Sequence, residues 1–71
     1  MNAELIGTWA GEVWNALNEG GELSLKALKK ATKLKDKEVY AALGWLAREG
    51  KVNISVNAED AKELNIVLAY A

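Results

Sequence analysis

The sequence contains no cysteine and no histidine among its 71 residues. The lack of cysteine excludes disulfide bonds, and with both residue types missing only carboxylates remain as zinc ligands, so no metal site is expected. A chain this short buries only about 60% of the surface that its unfolded form exposes. Its stability must therefore come from unusually good packing or from a partner chain. The lack of cysteine also fits a reducing cytoplasm, which is the predicted location.

The residue combinations that support catalysis are missing as well. Without histidine or cysteine there is no Ser-His-Asp set and no thiol nucleophile, and no glycine-rich phosphate-binding loop is present. Ser24 and Ser55 have no obvious general base, and Glu59 and Asp60 fall in a polar segment typical of a solvated turn. A domain of this size also leaves little room for an enclosed pocket. We predict a protein that is not an enzyme and needs no cofactor.

Long apolar runs and linkers are equally absent. No run approaches the roughly 20 residues that a membrane span requires, so no membrane association is predicted. The first residues lack the basic segment that begins a signal peptide. No internal repeat, low-complexity stretch or proline-rich linker interrupts the sequence. We interpret residues 1–71 as a single domain of a soluble intracellular protein.

The charges are distributed unevenly although the net charge is only −1. Residues 1–23 contain four glutamates and no basic residue, and residues 38–71 also carry more acidic than basic side chains. Residues 24–37 contain six lysines against Asp36 alone. A small negative net charge argues against strong nucleic-acid binding, whereas the lysine-rich window favours contact with phosphate.

The first helix is predicted from Asn2 or Ala3 to Asn18. Asn2 is a suitable N-cap, and Gly20-Gly21 is a stop signal. Residues at helical spacing form the inward-facing stripe, namely Ile6, Ala10, Val13 and Leu17, flanked by Trp9 and Leu5.

A neighbouring stripe of the first helix contains Gly7, Gly11 and Trp14. A glycine inside a helix costs about 1 kcal/mol relative to alanine, and it is expected where a backbone or a large side chain approaches closely. Two interpretations stay open. Trp14 folds over the core of its own domain, or the three residues contact a second subunit.

Two further helices are predicted after Ser24. Ser24 is expected to cap a helix from Leu25 to about Thr32, and a third helix is expected from Lys35 or Asp36 to a stop at Gly50. Leu34 is expected to be buried in the turn between them. The inward residues are predicted to be Leu25, Leu28 and Ala31 in one helix, and Val39, Ala42, Leu43, Leu46 and Ala47 in the next.

The remaining segments predict a small sheet. Glu22-Leu23-Ser24 is too short to form a strand alone, although it could add to a sheet. Alternation of apolar and polar residues predicts two half-buried strands separated by a polar turn from Asn57 to about Lys62. Their inward residues are Val52, Ile54 and Val56 in the first strand, and Leu64, Ile66, Leu68 and Tyr70 in the second.

The segment from Glu22 to Val52 resembles the helix-turn-helix and wing entry of bacterial winged-helix proteins, with Leu34 in the turn and Gly50 after the third helix. The sequences Ala10-Gly-Glu-Val-Trp14 and Ala42-Leu-Gly-Trp-Leu-Ala-Arg-Glu49 extend the resemblance, over nearly the full length, to a family of small winged helix-turn-helix proteins of Bacteroides-type bacteria. The resemblance implies an α+β winged helix-turn-helix fold, with three helices and a small antiparallel sheet in the order α-β-α-α-β-β. It also implies a dimer, and it supplies no active site to carry over.

Two positions depart from the broader winged-helix pattern. Lys33 stands where the turn usually has glycine, and Lys35 stands where the third helix usually has a serine or threonine cap. We expect a modest cost for Lys33 in a left-handed conformation and about 1 kcal/mol for the missing cap. Both changes add positive charge near the start of the third helix.

DNA binding is the usual role of this fold, in which the third helix lies in the major groove. Its predicted outward face has few side chains suited to base readout, and the wing tip, Asn57 to Asp60, is acidic. The lysines could instead contact phosphates without reading sequence, or simply form a solvated helix face. We predict weak, non-specific binding of double-stranded DNA in a regulatory role. The predicted nucleic-acid-binding residues are Lys26, Lys29, Lys30, Lys33, Lys35, Lys37, Tyr40 and Arg48.

Protein interaction without sequence-specific DNA readout is the alternative function. Trp45, near Tyr40 and Gly44 in the sequence, resembles the aromatic anchors enriched at interfaces, although it could pack on the first helix or the sheet of its own domain. Self-association would bury such rings and add stability. We predict a homodimer with the interface residues Gly7, Gly11, Trp14, Tyr40, Ala41, Gly44 and Trp45.

Overall fold

A computed structural model, which describes residues 1–60 and 63–69, confirms the predicted order of elements. The predicted Lys62 at the end of the turn and Tyr70 in the last strand lie outside the described residues. The elements are α1 (Ala3–Gly20), β1 (Leu23–Ser24), α2 (Leu25–Thr32), α3 (Asp36–Arg48), β2 (Val52–Val56) and β3 (Leu64–Leu68).

The helix ends follow the capping residues expected from the sequence. Asn2 Oδ1 accepts a hydrogen bond from the Leu5 N–H at 2.8 Å, and Ser24 Oγ accepts from the Ala27 N–H at 3.1 Å. Each bond satisfies a backbone donor that has no partner inside its helix. Gly21 ends α1 with a φ of 78°, so the helix runs slightly further than Asn18.

The turn between α2 and α3 has both features expected of its two lysines. Lys33 is left-handed, with φ 61° and ψ 21°, a conformation that disfavours a residue with a Cβ. The side chain of Lys35 has no acceptor and makes no cap to α3. The Glu38 carboxylate compensates in part, because it accepts a hydrogen bond from the Lys35 backbone N–H at 2.8 Å.

The sheet has the strand order β1-β3-β2, and both pairs are antiparallel. Leu23 of β1 pairs with Ile66, so the short segment does add to a sheet as predicted. Ile54 of β2 pairs with the same Ile66 from the other side. The strand latest in the chain among the described elements therefore lies at the centre of the sheet.

The core lies between the helices and the inner face of the sheet, with α1 packed chiefly on α3. The largest fully buried side chains come from all three helices and from β3. They are Leu17, Leu28, Ile66, Val13 and Val39. Leu34, in the turn between α2 and α3, packs against this core but is only partly buried.

Four residues predicted to face the core are exposed instead. Ala31 and Ala47 each lie roughly 90° around their helix from the centre of its buried face, because successive residues are about 100° apart. Ile54 and Val56 do share the inner face with Val52, but they remain 42% and 61% exposed. The outer part of β2 therefore extends beyond the cover of the helices. Ile6, also predicted to face inward, is only half-buried.

Within residues 1–60 and 63–69, no helix has the length and hydrophobicity needed to cross a lipid bilayer. The same residues contain no cluster of acidic side chains arranged to hold a metal ion.

Candidate nucleic-acid interface

The lysines of α2, of the following turn and of the first turn of α3 form what we call the basic surface. Leu25 and Leu28 anchor one side of α2 in the core, and this orientation turns the lysine side outward. Five of the six lysines are exposed, and Lys29 is half-buried. The basic surface consists of Lys26, Lys29, Lys30, Lys33, Lys35 and Lys37.

Lys29 differs from the other lysines because its ammonium group forms an ion pair with Asp36 at the start of α3. The hydrogen bond from Lys29 to Asp36, followed by the charge of that carboxylate, raises the pKa of Lys29. The pair connects the two helices of the helix-turn-helix. It also means that Lys29 is already partly neutralised and is a weaker phosphate ligand than its neighbours.

Glu63, which immediately precedes β3, reaches the start of α2. Its Oε1 accepts a hydrogen bond from the Lys26 backbone N–H at 3.1 Å. A helix N-terminus attracts anions through its free N–H groups and its dipole. The carboxylate therefore occupies a position that a phosphate oxygen would also favour.

The outward residues of α3 divide between two sides of the helix. Tyr40 is 51% exposed and lies near Lys29, whose pKa its hydroxyl also influences. Lys37, Gly44 and Arg48 are exposed, while Ala41 is half-buried. Trp45 lies roughly 140° around the helix from Tyr40 and faces α1. The two rings therefore lie on different sides of α3.

Trp45 instead borders a cleft between α1 and α3 that we call the tryptophan cleft. A Cβ built on Gly7 would lie 3.7 Å from both Cη2 and Cζ2 of Trp45, which is ordinary van der Waals contact. The cleft has a volume of about 280 Å³, and Gly11 and Trp14 also border it. Trp14 is half-buried and packs against the core, and Trp45 remains 40% exposed. Four predicted interface residues are thus brought together, whereas Tyr40, Ala41 and Gly44 do not border the cleft.

Two other surfaces are unsuited to phosphate. A larger cleft of about 530 Å³ between α1 and the end of α2 is bordered by Glu12 and Glu19. At the wing tip, Asn57 Oδ1 accepts hydrogen bonds from the backbone N–H groups of Glu59 and Asp60, which holds two acidic residues in a tight turn. The basic surface is therefore the part of the described chain with the charge needed to attract a polyanion.

Comparison with known proteins agrees with this architecture. Residues 1–68 match the model of a family described as winged helix-turn-helix domain, DUF2582. The chain belongs to this family. No curated protein matches the chain.

Solved structures similar to this winged-helix domain include one close in sequence. Protein BT2368 from Bacteroides thetaiotaomicron is 35% identical, with a TM-score of 0.81, over 96% of this chain and 79% of that protein. The PcaV transcriptional regulator from Streptomyces coelicolor is 18% identical, with a TM-score of 0.82, over 87% of this chain and 46% of its own. BpsR from Bordetella bronchiseptica, whose DNA binding is regulated by 6-hydroxynicotinic acid, is 20% identical, with a TM-score of 0.81, over 97% of this chain and 52% of its own. The chain spans about half the length of these two regulators, and they show the fold alone.

The sequence did not point to two residues of this winged-helix domain. Glu63 is separated from Lys26 by 37 positions, and nothing in the spacing of the residues indicates that they meet. Asp36 is the first residue of α3, and its pairing with Lys29 depends on the angle between two helices, which the spacing of the residues does not give. Both carboxylates reduce the positive charge of the basic surface.

Proposed function

We propose that this chain is a DNA-binding domain of the transcription-regulator type, which holds duplex DNA through its phosphates. The observation that carries the proposal is the basic surface, where five exposed lysines follow the helix-turn-helix from α2 into the first turn of α3. Lysine ammonium groups attract phosphate without reading the bases. The fold shared with the regulators PcaV and BpsR supports the same role.

The outer face of α3 supports contact with DNA and little base readout. Lys37 near its start and Arg48 at its end can donate hydrogen bonds, but Tyr40 and Gly44 between them offer no bidentate donor or acceptor pair. The binding we propose is therefore weak and nearly independent of sequence. Tyr40, near Lys29, and Arg48, at the other end of α3, would add further contacts.

A salt titration with a random DNA duplex tests this proposal. If Lys26, Lys30, Lys33, Lys35 and Lys37 each neutralise one phosphate, log K should fall with log salt at a slope of about −4.5. The affinity would then drop by about 500-fold between 50 and 200 mM salt. No measurable binding at low salt would contradict the proposal.

Two neighbouring lysines provide a matched pair for the same assay. Lys30→Ala removes a free ammonium group and should make the salt slope shallower by about 0.9. Lys29→Ala removes one that is already paired with Asp36, so its slope should stay closer to that of the unsubstituted protein. Equal effects of the two substitutions would show that the ion pair does not limit phosphate binding.

We further propose that residues 1–71 function as one domain in the cytoplasm, without a cofactor and without catalytic activity. The continuous core supports the single domain, because buried residues of α1, α2, α3 and the sheet belong to one cluster. The fold shared with transcription regulators supports the remaining points. Limited proteolysis tests the single domain, since a stable fragment shorter than residues 3–68 would contradict it.

Protein interaction through the tryptophan cleft is a second candidate function. The observation that favours it is the large exposed fraction of Trp45 beside Gly11, where a Cβ would meet no atom within 4 Å. The predicted homodimer could use this surface. Sedimentation at micromolar concentration tests it: Trp45→Ala should dissociate a dimer formed at the cleft, and Tyr40→Ala, on the other side of α3, should not.

A further inference from the structure

The outer edge of β2 has unpaired backbone groups. The Ala69 N–H donates to Lys51 O, and the Asn57 N–H donates to Glu63 O, each at 2.9 Å. Hydrogen-bonded pairs alternate in an antiparallel ladder, so Asn53 and Ser55 also direct their N–H and C=O groups toward β3. The N–H and C=O groups of Val52, Ile54 and Val56, which alternate with these residues, point away from the sheet. In the part of the chain that the structure describes, no strand pairs with this edge.

The edge also lacks the features with which natural sheets prevent pairing. Edge strands are usually protected by charged side chains, proline or a bulge. The residues of β2 are Val-Asn-Ile-Ser-Val, none of which is charged, and the register with β3 is regular throughout. On the inner face of this strand, Ile54 and Val56 remain 42% and 61% exposed. A second strand beside β2 would cover them.

We propose that β2 is a self-association surface, on which the β2 strand of a second copy pairs antiparallel about a two-fold axis at Ile54. Each Ile54 then faces the partner's Ile54, and Val52 faces the partner's Val56. The outward N–H and C=O groups of these residues satisfy one another in about six hydrogen bonds. The apolar residues of both strands lie on one face of a continuous sheet, and the asparagine and serine residues lie on the other.

The order of residues in β2 favours a second copy of the same strand as the partner over an unrelated strand. Val-Asn-Ile-Ser-Val has the same chemical pattern when read in either direction, which is what an isologous pair requires. Charge complementarity favours it as well. The axis at Ile54 places Lys51 opposite the partner's Asn57 and close to the partner's acidic wing tip. The acidic wing tip, which is unsuited to phosphate, then lies beside a lysine.

This proposal does not depend on DNA binding, and it places the dimer interface at β2 instead of at the tryptophan cleft. Sedimentation of the full chain at micromolar to millimolar concentration should show a species of twice the 7.7 kDa chain mass. Ile54→Lys should abolish this species, because two lysines would meet at the axis. Val67→Lys is the matched control, since Val67 is 37% exposed on the opposite face of the central strand β3. It should leave the dimer unchanged.

Circular dichroism establishes whether each variant folds. If Ile54→Lys does not fold, Val56→Lys replaces it, because Val56 is the most exposed apolar residue of β2. A 7.7 kDa species of the unsubstituted chain at every concentration would overturn the proposal. A dimer that survives substitution in β2 and dissociates with Trp45→Ala would also overturn it, and would assign the dimer to the tryptophan cleft.

Amide hydrogen exchange supplies a second test at single residues. The Asn53 and Ser55 amides bond to β3 and should be protected at all concentrations. The Ile54 and Val56 amides should exchange rapidly in dilute protein, and their exchange should slow as the dimer forms. Slowing that is confined to α1 and α3 would contradict the proposal.

Discussion

Replacing Gly11 with alanine should stabilise the protein. Gly11 lies in the middle of α1, on its exposed side, and a Cβ built there meets no atom within 4 Å. The substitution therefore adds no steric conflict. It removes the excess backbone freedom that glycine has in the unfolded chain, which is the main reason that glycine is unfavourable in a helix.

The expected gain in the free energy of unfolding is about 1 kcal/mol, the difference between glycine and alanine in a helix interior. For a domain of this size, that gain raises Tm by about 4–8 °C. Gly7→Ala should have a similar effect, because its Cβ would make ordinary contact with the Trp45 ring at 3.7 Å.

Thermal unfolding followed by circular dichroism, in dilute protein, measures the effect. Gly21→Ala is the control, because Gly21 has a φ of 78° and a side chain there is strained whatever space surrounds it. Its Tm should fall. A lower Tm for Gly11→Ala in dilute protein would refute the reasoning, since it would mean that the Gly11 surface is in contact with another group.

Three other substitutions follow from single contacts. Leu28→Ala should lower the free energy of unfolding by about 3 kcal/mol in urea titrations, because Leu28 is fully buried. A loss below about 1 kcal/mol would mean that neighbouring side chains move to fill the cavity. Glu63→Gln should raise the affinity for duplex DNA by about 3-fold at low salt, because it removes a negative charge from the start of α2, whereas Glu4→Gln should not. Asp36→Asn should remove a pH-dependent contribution to stability: the raised pKa of Lys29 means that the ion pair contributes fully below pH 10.5 and is lost as the pH rises through the folded-state pKa. The urea midpoints of the unsubstituted protein and of the Asp36→Asn variant should therefore converge at pH values above the folded-state pKa of Lys29.

The parts of the fold that could be predicted are those that depend on neighbours in the sequence. Asn2 and Ser24 cap their helices through bonds to residues three positions later, so their effect is visible in the sequence itself. Lys33 was expected in a left-handed turn because glycine usually stands there, and its φ of 61° agrees. Local patterns thus define where each helix begins and ends.

The parts that could not be predicted depend on how far one element covers another. Alternation in β2 correctly assigns Ile54 and Val56 to the inner face, but it does not say where the helices stop covering that face. Spacing placed Trp45 on the surface of α3, while its position against Gly7 depends on the packing of α1 on α3. The contact between Glu63 and α2 likewise exists only after the sheet has formed.

The central position of β3 has a consequence for synthesis on the ribosome. Residues 64–68 are made after the three helices and β2, and they pair with Leu23, which is made more than 40 residues earlier. Until Ile66 has left the exit tunnel, β1 and β2 have no neighbour to pair with, and the helices lack the fully buried side chain that completes their core. Because contacts so distant in sequence form late, the chain should remain sensitive to protease until β3 has left the exit tunnel, and should then fold in one cooperative step.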